Sequence, residues 1–533
     1  MRHGEAARRT NAGSAAAHVG LGQAMPRADV LKKFTSRFVY LPDDLPSASP
    51  ALSSKKQQEE MMLRLSNQFH SFGLSHAGEQ SDIPAGYTYL AQFAIHDMLR
   101  STPLVSRDGA TAVNPDNEES AGLDLRSLYG SGPDKSPELY KSGPTAGKKG
   151  RLRIGHLNKA SNALPPRFEK GAMADVPRDP AARSAPGALP TEPALADDRN
   201  ADTLILAQLT ALFIRFHNIL FDMSNNAGDA DPFLRARKMA RAAYRNIVWN
   251  DVVKRLTGDE IFAHYDPSLA LPRETGWNVP KESAFAVLRF GHAMVREAYQ
   301  LSGDFEGVSA AARVGKLLQF FNSATSQKLP PAQIWKIEWS RFFQTGQNHG
   351  AGFNRSAPIR PAMAQALKEL SKKRLAAFPS KEEAQISLAY RALMRGFLIG
   401  LPSGQASAAR VSATLGFGIR TLTLAEIKGW LTAAAGEGLC KLGSVQCLTP
   451  DDIAILAERT PLFLYVLLEA QIIGGGSKLG PVGSDFLCHA FAGGLRLPPD
   501  DPDKNIASLF GIVLPGTMPE LLGFLEQHST PDV

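Results

Sequence analysis

Residues 204–223 read LILAQLTALFIRFHNILFDM, a stretch apolar around nearly its whole circumference. As a helix it would run about 30 Å. A helix of that kind either crosses a bilayer or lies inside a large core. Gln208, Arg215, His217, Asn218 and Asp222 interrupt it, and each makes a lipid environment costly. The stretch is therefore predicted to be a buried core helix, and the chain to have no integral membrane segment. Enclosing such a helix takes other elements, and apolar residues recur at three and four through most of 203–300 and again from about 355 to 530. Strand signals are sparse. The expected fold class is mainly α: a single large helical domain with long irregular loops.

The chain has 533 residues, enough for such a domain. Residues 1–55 are small, polar and Pro-containing, and are predicted to form a loosely ordered arm; residues 56–530 are the domain. Within it, 101–200 is rich in Gly, Pro, Ser and charge, and Gly171–Asp198 is almost without periodicity. A loop of that length is either disordered or wraps something functional. The net charge of +7 is spread along the chain with no nucleic-acid motif, so a nucleic-acid partner is not expected. The N-terminus has early positive charge but no apolar run of signal-peptide length, which leaves a cytoplasmic location or secretion by another route. Cys440, Cys447 and Cys488 are too few for a disulfide scaffold. One pair could bridge, but a reduced state is the plainer reading.

Three stretches carry chemistry. In Tyr87–Arg100, YTYLAQFAIHDMLR, Gln92 and His96 are four apart and share a helix face. In Ser283–Leu301, SAFAVLRFGHAMVREAYQL, the order Phe285, Leu288, His292, Val295, Tyr299 puts His292 on the core face of a helix. A buried imidazole needs a partner for each nitrogen, and iron coordination meets half of that need. In Asp197–Asp202, DDRNAD, Arg199 and Asp202 stand three apart at the start of the long apolar helix. There Asp202 gains from the helix dipole, and Arg199 can project into a cavity. Its guanidinium keeps its charge at any working pH and can stabilise charge developing as an O–O bond breaks. His217 competes as an iron ligand, but Arg215 and Asn218 beside it suggest a structural imidazole. Taken singly, each of these residues is more often structural. Two imidazoles and a guanidinium are nevertheless the parts needed to hold a haem and split a peroxide.

In order along the chain, six segments resemble the animal-type haem peroxidases of the peroxidase–cyclooxygenase superfamily, in its bacterial branch. IPAGYTYLAQFAIHDM (83–98) is similar to the distal-helix motif and AGLDLRSLYGSGP (121–133) to the calcium-loop segment. DDRNADTLILAQLTALFIRFHNIL (197–220) resembles the catalytic-arginine helix, and VLRFGHAMVREAY (287–299) the proximal helix. ALMRGFLIGLPSGQ (392–405) and TPLFLYVLLEAQIIGGGSKLGPVG (460–483) resemble two later landmarks. The resemblance implies haem b as cofactor, with His96 and Gln92 on the peroxide side, Arg199 as charge-stabilising partner and His292 as axial iron ligand. It implies two-electron cleavage of hydrogen peroxide or an organic hydroperoxide to a ferryl intermediate, which then oxidises a small reducing substrate.

This chain also departs from the pattern. Ile95 replaces an acidic residue that can form an ester to haem, and Asp202 stands where a glutamate forms a second link, one carbon shorter. Asp97 and Asp124 match calcium ligands, with Ser120 in place of a third, but Arg126 replaces an oxygen donor. A guanidinium there repels Ca²⁺ and can pair with Asp97 or Asp124, so weak or absent calcium is expected. Ala392 replaces an asparagine that accepts from the axial histidine, which makes that imidazole less electron-donating. Arg289 occupies the place of the radical tyrosine of the fatty-acid oxygenases. The alternatives are a degenerate haem-binding or adhesion-like member with weak turnover, and a fatty-acid oxygenase.

Overall fold

The computed structural model describes residues 36–37, 55–101, 116–141, 149–156, 174–179, 192–265, 278–303, 312–313, 335–368, 387–496 and 512–528. The predicted arm lies almost wholly outside them, as do 157–173 and 180–191 of the loop-rich segment. The helices that frame the site are α1 (Lys55–Ser75), α2 (Gly86–Met98), α3 (Leu204–Asn226), α4 (Pro232–Ile247), α5 (Leu388–Leu398), α6 (Leu462–Ile472) and α7 (Pro481–Arg496). Strand structure among the described residues is confined to two-residue antiparallel pairs such as Ser36–Arg37 with Asp116–Asn117. The mainly helical expectation holds. One contiguous apolar cluster runs from Met61 to Leu525 and draws on all seven of these helices.

At the centre lies α3, every residue from Leu204 to Phe221 buried. Thr203 starts it: the Thr203 hydroxyl accepts from the Leu206 amide at 3.1 Å, meeting one of the donors that a helix start leaves open. The polar residues that disfavour a membrane are absorbed locally. Asn218 pairs with both the amide and the carbonyl of Leu152, and His217 is fully enclosed.

The position of α2 matters most for the site. At its start, Gly86 lies against the Phe343 ring so closely that a Cβ would meet it at 2.4 Å. One residue on, the Tyr87 hydroxyl donates to both oxygens of Asp251 at 2.8 Å. Asp251 belongs to a π-helical stretch, Val248–Val253, that continues α4. It also accepts from Arg255 at 2.7 Å and from the Met518 amide at 2.9 Å. One buried carboxylate thus ties α2 to α4 and to the C-terminal helix Met518–Gln527. Asp251→Ala strands a phenol, a guanidinium and an amide together, and is expected to cost roughly 3 kcal/mol of stability. Urea unfolding followed by circular dichroism measures this; a loss below about 1 kcal/mol contradicts the role given to Asp251.

Cys440 and Cys447 form a disulfide with Cα atoms 5.7 Å apart, contrary to the reduced reading of all three cysteines. Cys488 is a free, buried thiol, its pKa pushed up to about 12, mainly by burial.

Candidate functional site

α2 ends at Met98, with Leu99 extended, which leaves the carbonyls of its last turn without helical donors. Arg199 fills that need. Its Nη2 donates to the His96 carbonyl and its Nη1 to the Leu99 carbonyl, both at 2.8 Å. The other edge is held by Asp197, which accepts from Nε at 3.0 Å and also from Nη2. Of five guanidinium hydrogens, one on Nη1 is not engaged by any described residue. The sequence reading had Arg199 projecting into a cavity; instead it is clamped against the end of the helix that carries His96. The reason is electrostatic, because the negative end of α2 and a carboxylate two residues away both attract the cation.

Asp198–Ala201 is a single 3₁₀ turn, capped by the Asp197 carboxylate through the Arg199 amide at 3.0 Å. Asp202 closes the turn, its amide donating to the Arg199 carbonyl at 3.0 Å, and it is half-buried. It precedes the Thr203 cap instead of lying within α3. The same turn carries Asn200, fully buried, whose Oδ1 accepts from Nδ1 of His96 at 3.0 Å. Sequence reasoning passed over Asn200. Its one signal was adjacency to Arg199, which does not reveal that a 3₁₀ turn aims it at α2. Gln92, one turn before His96 on the same face, is half-buried, its amide unengaged by any described residue.

His96 is held neutral. Burial lowers its pKa first and Arg199 next, against an opposing pull from Asp197, to about 3. Its ring therefore remains a base down to strongly acid solution.

His292 does not lie on a long α-helix. Lys281–Phe285 is a short α-helical piece, Val287–Met294 is a 3₁₀ helix, and the chain is extended by Ala298–Tyr299. Three residues per turn puts Arg289 directly above His292, both half-buried, while Leu288 and Phe290 face the core. The 3-4 spacing read from the sequence therefore does not apply. Burial drives the His292 pKa well below its usual value; Arg289, Arg395 and Arg391 follow, and then His96. His96 and His292 thus lie within electrostatic reach of each other. Arg289 has its own pKa lowered to about 10, by burial and then by Arg199. His96 and His292 belong to α2 and the Val287–Met294 3₁₀ helix, which pack together.

Nδ1 of His292 is buried with no hydrogen-bond partner among the described residues. α5, carrying Arg391, Ala392 and Arg395, packs near it and supplies cations in place of an acceptor. The fully buried Ala392 lines a small apolar pocket with Met62, Ala286, Leu393 and Phe463 among its neighbours. By contrast, His217 has both nitrogens engaged, Nε2 by the Gly150 carbonyl at 2.9 Å and Nδ1 by Tyr129 at 3.0 Å. It is structural, although its partners are not the Arg215 and Asn218 first suggested.

The residues matched to calcium ligands are otherwise occupied. The Asp97 carboxylate accepts from the amides of Leu125 at 2.7 Å and Ser127 at 3.1 Å, and burial raises its pKa to about 6. Asp124 pairs with Arg245 of α4 at 3.1 Å, so Arg245, not Arg126, supplies the guanidinium there. Arg126 lies instead within reach of Glu119. The Ser120 hydroxyl accepts from the Gly122 amide at 3.3 Å.

A family model described as animal haem peroxidase matches residues 66–337, which contain His96, Arg199 and His292. The chain belongs to the animal haem peroxidase family. No curated protein sequence matches this chain significantly. Among solved structures it is similar to peroxidase A from Dictyostelium discoideum, with 14% identity and a TM-score of 0.55 over 93% of this chain and 94% of that one. It is also similar to the fatty acid alpha-dioxygenase of Oryza sativa (12% identity, TM-score 0.53, 97% and 93% covered). The Arabidopsis thaliana fatty acid alpha-dioxygenase gives 13% identity and a TM-score of 0.51, with 92% and 78% covered. At these identities the likeness shows the fold alone.

Proposed function

We propose that this family member is a haem peroxidase that reduces hydrogen peroxide or an organic hydroperoxide and oxidises a small reductant. The observation that carries the reading is the match to the animal haem peroxidase family over residues 66–337, a span that contains His96, Arg199 and His292 together.

The residues fit haem b. Burial holds the pKa of His292 well below its usual value, which favours the neutral form that an iron ligand must have. Arg289, Arg391 and Arg395 gather positive charge beside it, suited to the carboxylates of a porphyrin. Haem bound there would supply the electrons that cleave an O–O bond. On the other side, neutral His96 takes the proton from a peroxide oxygen and returns it to the departing one. Gln92, on the same face, can hydrogen-bond the peroxide. Arg199, fixed by Asp197 and two carbonyls, contributes a permanent charge and one unengaged N–H, and it keeps His96 unprotonated.

A second reading, a haem-binding member with weak turnover, is supported by the unpartnered Nδ1 of His292: an imidazole that cannot donate to an acceptor gives less electron density to iron. Peroxide-dependent oxidation of a phenol by the haem-loaded protein separates the two. Turnover supports the peroxidase; haem uptake without turnover favours the second reading. Uptake of oxygen with linoleate and no added peroxide would instead indicate an oxygenase.

Asp202 is short for an ester link, and its amide is held back in the 3₁₀ turn. Acid-acetone extraction is therefore expected to release the haem completely. Pigment that stays with the protein would mean that Asp202 is esterified.

A further inference from the structure

We propose that Asn200 is a positioning residue that fixes His96 in the Nδ1–H tautomer, so that the unprotonated nitrogen is Nε2. The inference deepens the peroxidase reading and rests on it for its catalytic meaning, though the tautomer itself does not depend on haem.

Burial, Arg199 and Arg100 disfavour a charged imidazole, while Asp197 and the hydrogen bond with Asn200 oppose them. The neutral ring has a single N–H to place, and the two ring nitrogens are not equivalent. Among the described residues its hydrogen-bond partner is Oδ1 of Asn200, 3.0 Å from Nδ1. A carbonyl oxygen can only accept, so the proton sits on Nδ1 and the lone pair is on Nε2.

Asn200 is itself held in place. Its amide donates to the Asp197 carbonyl at 3.1 Å, and its carbonyl accepts from the Thr210 hydroxyl of α3 at 3.2 Å. It is wholly buried, so water does not compete for Oδ1. The other half of its side chain, Nδ2, is buried with no hydrogen-bond partner among the described residues. A buried amide group left unsatisfied costs stability. It is tolerated here beside a bond that orients the ring of a base. The 197–200 turn thereby does two jobs at once: Arg199 closes the backbone end of α2, and Asn200 orients the imidazole on it.

The consequence is a base ready at the right atom. An imidazole that spends its time in the Nε2–H form has its proton where the peroxide proton must go, and each turnover then waits on tautomer exchange. Asn200→Leu removes the acceptor and also removes the unsatisfied Nδ2, so the fold is expected to survive. Asn200→Asp keeps an acceptor and adds a negative charge beside the ring.

The experiment is ¹⁵N NMR of histidine-labelled protein without haem, followed by stopped-flow peroxide cleavage after haem loading. The wild type is expected to show the Nδ1–H tautomer at His96, and Asn200→Leu a mixture. Peroxide cleavage in Asn200→Leu should slow by about 10–100-fold, less than the roughly 10²–10⁴-fold of the acid–base group it positions, with haem affinity unchanged. Asn200→Asp should keep both the tautomer and most of the rate near neutral pH, but move the acid limb of the pH profile upward. An Nε2–H tautomer in the wild type overturns the proposal. So does an Asn200→Leu variant that is folded and cleaves peroxide at the wild-type rate. A wild type with the Nδ1–H tautomer that holds haem but leaves peroxide intact upholds the clamp and removes the peroxidase reading instead.

Discussion

His292→Ala is expected to abolish haem retention. The substitution removes the imidazole beside Arg289, Arg391 and Arg395, whose pKa burial holds well below its usual value. His217 cannot take over, because both of its nitrogens are bonded and it is sealed beneath Tyr129. Loss of a group that merely supports a metal ligand weakens a site by about 10–100-fold, so loss of the ligand itself should exceed about 100-fold. Haem titration followed by absorbance measures the affinity, and circular dichroism checks that the helices persist. His292 is only half-buried, so the fold is expected to tolerate the change. A folded His292→Ala protein that binds haem as tightly as the wild type would place the iron ligand elsewhere.

His96→Ala is expected to leave haem in place and reduce peroxide cleavage by roughly 10²–10⁴-fold, the usual contribution of a positioned acid–base group. The pH profile gives a second reading of the same residue. Because burial and Arg199 depress the His96 pKa to about 3, its base form persists far below the ordinary histidine range. The wild-type cleavage rate should therefore stay flat from neutrality down to about pH 4 and fall below that. The sign for stability runs the same way. The contribution of a depressed histidine is complete above its unfolded value of about 6.5 and is lost as the pH falls toward the folded value. Stopped-flow mixing with hydrogen peroxide measures the rate, and a His96→Ala variant with full activity would remove the acid–base assignment.

Much of this arrangement was legible in the sequence, and unevenly so. α3 was readable because a helix apolar on every side has few other places to go, and the interruptions at Arg215, His217 and Asn218 ruled out the bilayer. The proposed pairing of His96 with His292 came only from the resemblance of their two segments to a known pattern. The direction in which Arg199 turns was not readable. It is decided by the exposed carbonyls of α2, which lie a hundred residues earlier in the chain. The 3₁₀ form of Val287–Met294 was equally hidden, since over two turns an apolar pattern does not separate three residues per turn from 3.6. That difference in winding is what sets Arg289 over His292. Asp124 shows the same limit: a guanidinium was foreseen near it, but α4 delivers Arg245 there while Arg126 turns toward Glu119.

Everything above depends on one porphyrin fitting between residues 96 and 292. The most direct test is the absorption spectrum of the purified protein loaded with haem b, recorded before and after hydrogen peroxide is added. A Soret band that forms on loading and shifts with peroxide is the predicted result. A protein that stays colourless with excess haem contradicts the account.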